Sequence, residues 1–566
     1  MPSLITAVLL GLSYPPVGWG WLAHVALVPQ VVLALRADCN RRLAWVTYVV
    51  ATAWWLVMLR WLLPVTAGGW AALSMFMALY TPVALVALQW LRREWRIPAT
   101  IALPMIVASV ELVRGYGPAG GFAWFGLGHS QAPFESGSHA SRLIQVADLF
   151  GEHAVSCLVA MTNGLVADLL TTPWMRRRRD PAESTLGRIH PRLAGIVLLW
   201  AAALVSAHAY GAWRIRQDPT TPALTIAVIQ TNQAQSNKDS DSLEQLEHDW
   251  NHLLQLTRDA VGADETPVDL VVWPETVVPG PLNFDAVNAL KLSPEPDFQW
   301  FGRFHDEIAD HAKSLRTHLL TGAQAVAFHE PQRQWNSVFL YDPDGQQQMK
   351  RYDKMHLVPY GEFVPWVGSW PWAKDLFIKW LTPYDFDYTV VPGTHPTIFE
   401  IPRNPDRDPE SDTRKPAPPT RIVTPICFED AVPRVLRRMV YDDEGRKRAD
   451  ALVNLTNDGW FRPDQRLQHL QIAVFRSVEN RVPTARSVNT GVSGFISSTG
   501  RVAAALPVDG DGFNVYEIRA DARRTLFGRL GHRPMAVMAV ATAVLTAAAA
   551  FRRRSRQSRS AAESSP

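Results

Sequence analysis

Long apolar runs fill the first third of the chain and return near its end, while the stretch between them mixes apolar and polar positions at short range. A helix needs about 20 mainly apolar residues to cross the hydrocarbon core of a bilayer. Clear candidates are residues 18–35, 43–63, 70–91, 97–113, 193–213 and 534–551. Two weaker runs, 3–13 and 149–170, bring the expected spans to about eight. The first of these is short and stops at Tyr14-Pro15-Pro16; the second carries Glu152, His153 and Asp168 near its ends. Met1–Gly11 has no Lys or Arg and another apolar run follows almost at once, so it reads as an anchored segment and not as a cleaved signal.

Between the apolar blocks, residues 222–527 hold short β-like runs at Leu224–Thr231, Val268–Val272, Leu319–Val326, Ser337–Tyr341, Ile422–Cys427 and Ala451–Leu455. Helical stretches such as Ser242–Ala260 and Asp306–His318 separate several of them. That alternation predicts a layered α/β domain with its own core. Segment 403–420 is charged and Pro-rich and reads as a disordered loop between two strands; 236–242 is similarly loop-like. The organisation expected is therefore membrane helices over 1–213, a globular domain over 222–527, a final membrane helix at 534–551 and a basic tail at 552–566.

Composition sharpens this picture only in part. Over 566 residues the chain is 47% hydrophobic with a net charge of +3, which gives no general case for a nucleic-acid partner. The position of the charge is more informative. With a cytoplasmic N-terminus the inward loops are 36–42, 92–96, 171–192 and the tail, and these hold the basic clusters Arg36/Arg41/Arg42, Arg92/Arg93/Arg96, Arg176–Arg179 with Arg188 and Arg192, and Arg552–Arg554 with Arg556 and Arg559. The outward loop 64–69 has no charge, and 114–142 carries only Arg114 and Arg142 as basic residues. Positive residues favour the cytoplasmic side, so the globular domain is expected outside the cytoplasm. Three Cys exclude a disulfide scaffold, and no CxxC pair offers structural zinc. Cys39 falls in a cytoplasmic loop and Cys157 in a span, which leaves Cys427 as the one Cys of the exported domain.

Three stretches carry chemistry. Val271-Val272-Trp273-Pro274-Glu275-Thr276 delivers a carboxylate at the end of an apolar strand, where desolvation suits a general base or acid. Tyr352-Asp353-Lys354-Met355-His356-Leu357-Val358-Pro359-Tyr360-Gly361-Glu362 sets Lys354 among apolar and aromatic neighbours, as a cation for a developing oxyanion. Thr424-Pro425-Ile426-Cys427-Phe428-Glu429-Asp430 presents a thiol after a β-run, as a nucleophile on a strand-to-loop bend. Taken singly, each also has an ordinary structural reading: a surface Glu, a snorkelling Lys, a buried Cys. Gly115–Gly120 matches GxGxxG, but no globular strand precedes it and Pro118 interrupts it, so it is a loop beside a span.

Together, WPET at 273–276, YDKMHLVPYGE at 352–362 and ICFED at 426–430 resemble the Glu–Lys–Cys motifs of the nitrilase (carbon–nitrogen hydrolase) superfamily. With membrane spans on both sides, the chain resembles the apolipoprotein N-acyltransferase family of bacteria. Further matching stretches are GFAWFGLGHSQ at 121–131, QVADLFGEHAVS at 145–156, NLTNDGWF at 454–461 and HLQIAVFRSVENRVPTARSVNTG at 469–491. The resemblance implies a nitrilase-like αββα sandwich, Cys427 as nucleophile, Glu275 as general base and Lys354 as oxyanion cation. It also implies Glu362 and Glu429 as auxiliary acids near the site and Phe428 beside the nucleophile. Two departures are visible: Phe428 stands where the family often has Tyr, and Ser236-Asn237-Lys238-Asp239 where it often has a Trp. The implied reaction moves an acyl chain from a phospholipid donor, through a Cys427 thioester, to the diacylglyceryl-modified N-terminal Cys of an apolipoprotein acceptor. No cofactor or metal is expected, and the implied location is the bacterial inner membrane with membrane lipid around the spans. The alternative is a membrane-anchored nitrilase-type amidase passing the acyl group to water; a third reading is a catalytically dead binding or scaffold protein. Segment 364–388, rich in Trp, reads as a lid or wall at the membrane interface, with core packing as the competing reading.

Overall fold

The computed structural model describes residues 1–117, 120–172, 191–234, 242–263, 267–328, 332–363, 370, 372, 389–403 and 418–563, with side chains to 558. The apolar runs of the first third are helical. Pro2–Leu12 ends one residue before the Ser13-Tyr14-Pro15-Pro16 stretch, since the Pro rings cannot continue the helix. The run at 18–35 is broken into a 3₁₀ turn at Gly20–Leu22 and helices Ala23–Ala26 and Val28–Arg36, and the next forms the 19-residue helix Asn40–Met58. Among the described residues, five helical stretches, Ala67–Trp95, Ala99–Tyr116, Glu152–Thr171, Pro191–Arg216 and Arg533–Ser558, are long and apolar enough to cross a membrane. In Pro191–Arg216 and Arg533–Ser558 only 11% of the most apolar window is buried in the protein. Leu198, Val205, Val537, Val540 and Val544 are more than half exposed there, an apolar surface that lipid solvates without the cost water would impose.

Among the described residues, twelve strands form two sheets. They are β1 (Thr220–Gln230), β2 (Leu270–Val272), β3 (His318–Ala327), β4 (Arg333–Tyr341), β5 (Tyr352–Asp353), β6 (Phe399–Ile401), β7 (Thr420–Val423), β8 (Ala451–Thr456), β9 (Thr484–Val488), β10 (Gly494–Ile496), β11 (Val502–Ala503) and β12 (Gly512–Asp521). One sheet has the order β12-β1-β2-β3-β4-β5 and the other β11-β10-β9-β8-β7-β6. Each is parallel at its centre, β1-β2-β3 in one and β7-β8-β9 in the other, with antiparallel strands outside. Alternation along β1 explains the layering. Ile226 and Val228 point to the second sheet, packing with Ile422, Leu452 and Leu455, while Ala227 and Ile229 face Trp250, Leu253, Phe304 and Ile308 of the helices Leu243–Gly262 and Phe304–Leu315.

The helix Pro463–Asn480 covers the other sheet, which completes an αββα sandwich. From Gln465 to Asn480 almost every residue is buried, because the membrane helices pack on its far side. Phe475 and Val478 share one cluster with Ile496 of β10 and with Leu103, Val155 and Val159 of the membrane helices. Buried polar contacts gather at the same seam, which Arg481 and Arg476 cross. Asp148 holds Arg481 at 2.7 Å and Arg214 at 2.6 Å, and Glu152 receives His129 at 2.9 Å and also pairs with Arg476.

All six β-like runs and both helical stretches read from sequence are present, with one correction at the site. The strand expected to reach Cys427 stops at Val423, and Cys427 instead opens a 3₁₀ turn, Cys427–Ala431. Most of the Pro-rich 403–420 segment, the 236–241 part of the expected loop at 236–242 and the basic cluster Arg176–Arg179 with Arg188 lie outside the described residues.

Candidate active site

Three different segments bring Glu275, Lys354 and Cys427 to one cavity. β2 ends at Val272, and the Trp273 indole is anchored below by its N–H donating to Thr257 Oγ1 at 2.8 Å. Glu275 follows, 6% exposed, and Thr276 after it sits at φ +45°, a left-handed backbone uncommon for a β-branched residue. Gly322 on β3 makes this path available: a Cβ there would lie 2.8 Å from the Glu275 Cα. Lys354 comes directly after β5, 1% exposed, its N–H bonded to the Asn336 carbonyl at 2.9 Å. Cys427, 9% exposed, has φ +50°, so the turn that presents the thiol carries local backbone strain.

The charged groups hold one another in place. Glu275 Oε1 accepts from Asn336 Nδ2 at 2.7 Å and Oε2 from the Asn457 backbone N–H at 2.8 Å. Lys354 Nζ stands 3.6 Å from Glu275 Oε1 and donates to Glu362 Oε1 at 2.8 Å. Glu362 in turn accepts the Val358 N–H at 2.7 Å, closing the loop that carries it. Burial works against the Lys354 charge, but Glu362 and Glu275 outweigh it and hold its pKa above the ordinary lysine value. Burial, seconded by Glu275, pushes the Cys427 thiol well above its usual range, and the opposing pull of Lys354 does not offset this. The resting sulfur is thus a neutral thiol flanked by a carboxylate and an ammonium.

Glu429 lies beneath the thiol and not in the cavity wall. Its two oxygens accept from the Met355 and His356 N–H groups at 2.9 Å, the Ile426 N–H at 2.8 Å and the Tyr352 hydroxyl at 2.8 Å. One side chain thereby ties the Lys354 segment to the Cys427 turn. Burial raises its pKa to about 7 against those bonds. Phe428 lines the cavity, stacked between Trp124 at 6.2 Å and His356 at 6.0 Å between ring centroids.

Several groups had been given no role from sequence. Asn336 and Asn457 orient Glu275. A buried chain runs behind them: His469 Nε2 meets Asp430 Oδ1 at 2.6 Å, its Nδ1 meets Asp458 Oδ1 at 3.0 Å, and Arg486 pairs with the other Asp430 oxygen. Desolvation opposes a charge on His469, yet the two carboxylates raise its pKa to about 9. The available signal was polar residues where a core strand or helix should be apolar: Asn336 in β4, Asn457-Asp458 directly after β8, and His469 in the helix Pro463–Asn480.

The cavity, of about 1070 Å³, does not stay within the sandwich. Its far wall is Trp61, Leu62, Val65, Leu73, Phe76 and Met77 of the membrane half, with Phe122 and Trp124 beside Phe428. Of the expected aromatic lid, Trp370 and Trp372 are 58% and 71% exposed, and neither is core; Trp366, Phe377, Trp380 and Tyr384 lie outside the described residues. Among the described residues no His, Cys, Asp and Glu group is arranged to hold a metal.

Residues 6–165 match the family model of the apolipoprotein N-acyltransferase N-terminal domain, and residues 225–526 that of the carbon-nitrogen hydrolases. The chain is 31% identical to an apolipoprotein N-acyltransferase of Geobacter metallireducens over 98% of its own length and 95% of the relative's. It is 26% identical to that of Rhodopirellula baltica over 95% and 94%. An amidase from Nesterenkonia sp. gives a weak structural likeness, with a TM-score of 0.35 at 14% identity, covering 54% of this chain and 94% of the amidase. The matches at both ends of the chain, and along nearly all of it, agree with the two-part fold: this membrane protein with a carbon–nitrogen hydrolase domain belongs to the apolipoprotein N-acyltransferase family.

Proposed function

We propose that the chain moves an acyl group from a membrane phospholipid to the α-amine of the diacylglyceryl-modified N-terminal Cys of apolipoproteins, with Cys427 carrying the chain as a thioester. The observation that supports this most strongly is the shared cavity: a buried thiol, carboxylate and ammonium open onto walls supplied by membrane helices. A site for soluble amides has no need of such walls; a site for lipid esters does.

In the first step Glu275 takes the Cys427 proton as sulfur attacks the ester carbonyl. Lys354 and the Phe428 backbone N–H receive the oxyanion, and Glu275 returns the proton to the departing lysophospholipid hydroxyl. In the second, the acceptor amine attacks the thioester, Glu275 takes its proton and passes it to the leaving sulfur. Amide and free thiol result. Splitting the transfer in two this way gives ping-pong kinetics. Glu362 keeps Lys354 aimed, and Glu429 keeps the Lys354 and Cys427 segments in register. A single oxyanion donor contributes about 10²–10³ in rate, so Lys354→Met is expected to fall at least that far.

The proposed setting is a bacterial inner membrane crossed by eight spans, with the catalytic domain on the extracytoplasmic side. The basic residues that support this orientation and fall within the described part are Arg36, Arg41, Arg42, Arg92, Arg93, Arg96, Arg192, Arg552–Arg554 and Arg556. Intact-mass analysis after incubation with phospholipid tests the reaction. An acyl-sized adduct that maps to Cys427 and disappears onto a diacylglyceryl peptide is the expected result. Free fatty acid with no amide product would overturn the transfer in favour of hydrolysis.

A further inference from the structure

The membrane-side wall of the cavity carries a charge for which this chemistry has no use. Arg114, in the last turn of the helix Ala99–Tyr116, lines the cavity together with Tyr80, Phe122 and Trp124. It is only 8% exposed, with its guanidinium 5.5 Å from the Trp55 ring centroid. Its buried Nε has no hydrogen-bond partner, and among the described residues no carboxylate pairs with it. Glu111, one turn earlier, is turned to other work: its Oε1 accepts the Leu127 N–H at 2.6 Å.

The contrast within the molecule is sharp. The other buried arginines of the described residues, Arg214, Arg466, Arg476, Arg481 and Arg486, each hold an Asp or Glu. A guanidinium buried without a counter-charge is costly. The ring of Trp55 offsets a part of that cost but offers no acceptor for five N–H donors. A site that tolerates the imbalance when empty is one where the anion arrives with the substrate.

The walls say which anion. The cavity joins Arg114 to Cys427 through apolar surface from the membrane helices, and the planar fork of Arg matches phosphate oxygens in pairs. Arg114 lies in the last turn of the Ala99–Tyr116 helix, at the end where Arg434 of the carbon–nitrogen hydrolase domain sits over Tyr116, which is where the headgroup of a lipid entering this cavity would fall. Resting on the acyl transfer proposed above, we infer that Arg114 binds the phosphate of the donor phospholipid, with the ester carbonyl reaching along the cavity to Cys427. The acceptor's diacylglyceryl group has no phosphate, so Arg114 serves thioester formation and not the amine step.

The test compares the rate of Cys427 acylation from phosphatidylethanolamine and from the diacylglycerol of the same chains, in the parent, R114Q and R114K. The preference for the phospholipid is expected to fall about ten- to a hundredfold in R114Q, the worth of a charged hydrogen bond. R114K should recover part of it through KM. If R114Q does not accumulate, R114K alone carries the test, since it keeps the charge and loses the fork. An R114Q enzyme that slows on both donors alike, or on neither, overturns the phosphate site. Inorganic phosphate should not compete with the phospholipid in the parent; competition would make this a free-phosphate site and overturn the lipid assignment. A parent that acylates from neither donor would overturn the acyl-transfer reading itself, and the phosphate site with it.

Discussion

Replacing His469 with Gln tests the buried chain that joins the two loops of the site. His469 is 1% exposed and lies between Asp430, three residues beyond the thiol, and Asp458, next to the Asn457 whose N–H holds Glu275. Its pKa rises from 6.5 to about 9, which at 1.36 kcal/mol per unit is about 3 kcal/mol. The folded value exceeds the unfolded one, so this stabilisation is fully present below pH 6.5 and is lost as pH climbs from 6.5 to about 9. Gln reaches only one carboxylate with its N–H₂ and strands the other, a loss of about 3–5 kcal/mol for a broken buried pair. Denaturant unfolding of the detergent-solubilised protein, followed by Trp fluorescence across this pH range, measures the effect. Lys447, lowered to about 8 mainly by burial, contributes with the opposite sign in both proteins, so the difference between parent and variant isolates His469. The slack should also slow Cys427 acylation about 10²-fold, the cost of a misplacement near 1 Å. An H469Q protein that keeps the parent's pH slope, or acylates at the parent's rate, refutes the reasoning.

Two further outcomes follow from the same geometry. Because burial and Glu275 hold the Cys427 thiol well above its usual pKa, iodoacetamide should label it slowly at neutral pH and faster up to and beyond pH 9; Glu275→Gln should speed labelling, and a midpoint near neutral pH would contradict the neutral-thiol state. Asn336→Ala removes the 2.7 Å bond to Glu275, a charge-assisted contact worth about 1.5–3 kcal/mol, so kcat/KM for acylation should fall about ten- to a hundredfold, and an unchanged value would remove Asn336 from the site.

The helices and strands that sequence made legible are those whose burial is one-sided or uniform. Apolar runs in 1–213 and the mainly apolar stretches of β1 and β3 announce themselves, because lipid or two packed layers leave little room for polar residues. The strands β5, β6, β10 and β11 were not read, since two or three residues carry no period, and β9 and the longer β12 were passed over as well. Glu275, Lys354 and Cys427 were legible as motifs, and so was a bend at Cys427; that the strand stops as early as Val423 and that Cys427 takes a φ of +50° were not, since the turn is held by Glu429, which also binds the distant Met355 and His356 N–H groups. Asn336, Asp458 and His469 were passed over for a related reason. Each is a buried polar residue in or directly after a packed element, and only the third dimension reveals that the partner across the gap is polar too.

What separates transfer from hydrolysis on such a scaffold is the time a thioester survives before an amine reaches it. In the proposed reaction Glu275, Lys354 and Cys427 alone do not provide that time, since the same groups would activate water equally well. The membrane half does, under the proposed reaction, by replacing solvent with Leu62, Leu73, Phe76 and Met77 on one side of the thiol and by stacking Trp124 on Phe428 above it. That wall is useful only if it stays in place. The buried pairs Asp148–Arg481 and Glu152–Arg476 cross the seam between the halves, where their partners would be left charged and unsatisfied by any parting of the two. The polar residues in the helix Pro463–Asn480 are therefore not a defect in an otherwise apolar layer. They fix the angle at which the carbon–nitrogen hydrolase domain is held against the apolar wall of the membrane half and, under the proposed reaction, the fate of the acyl chain.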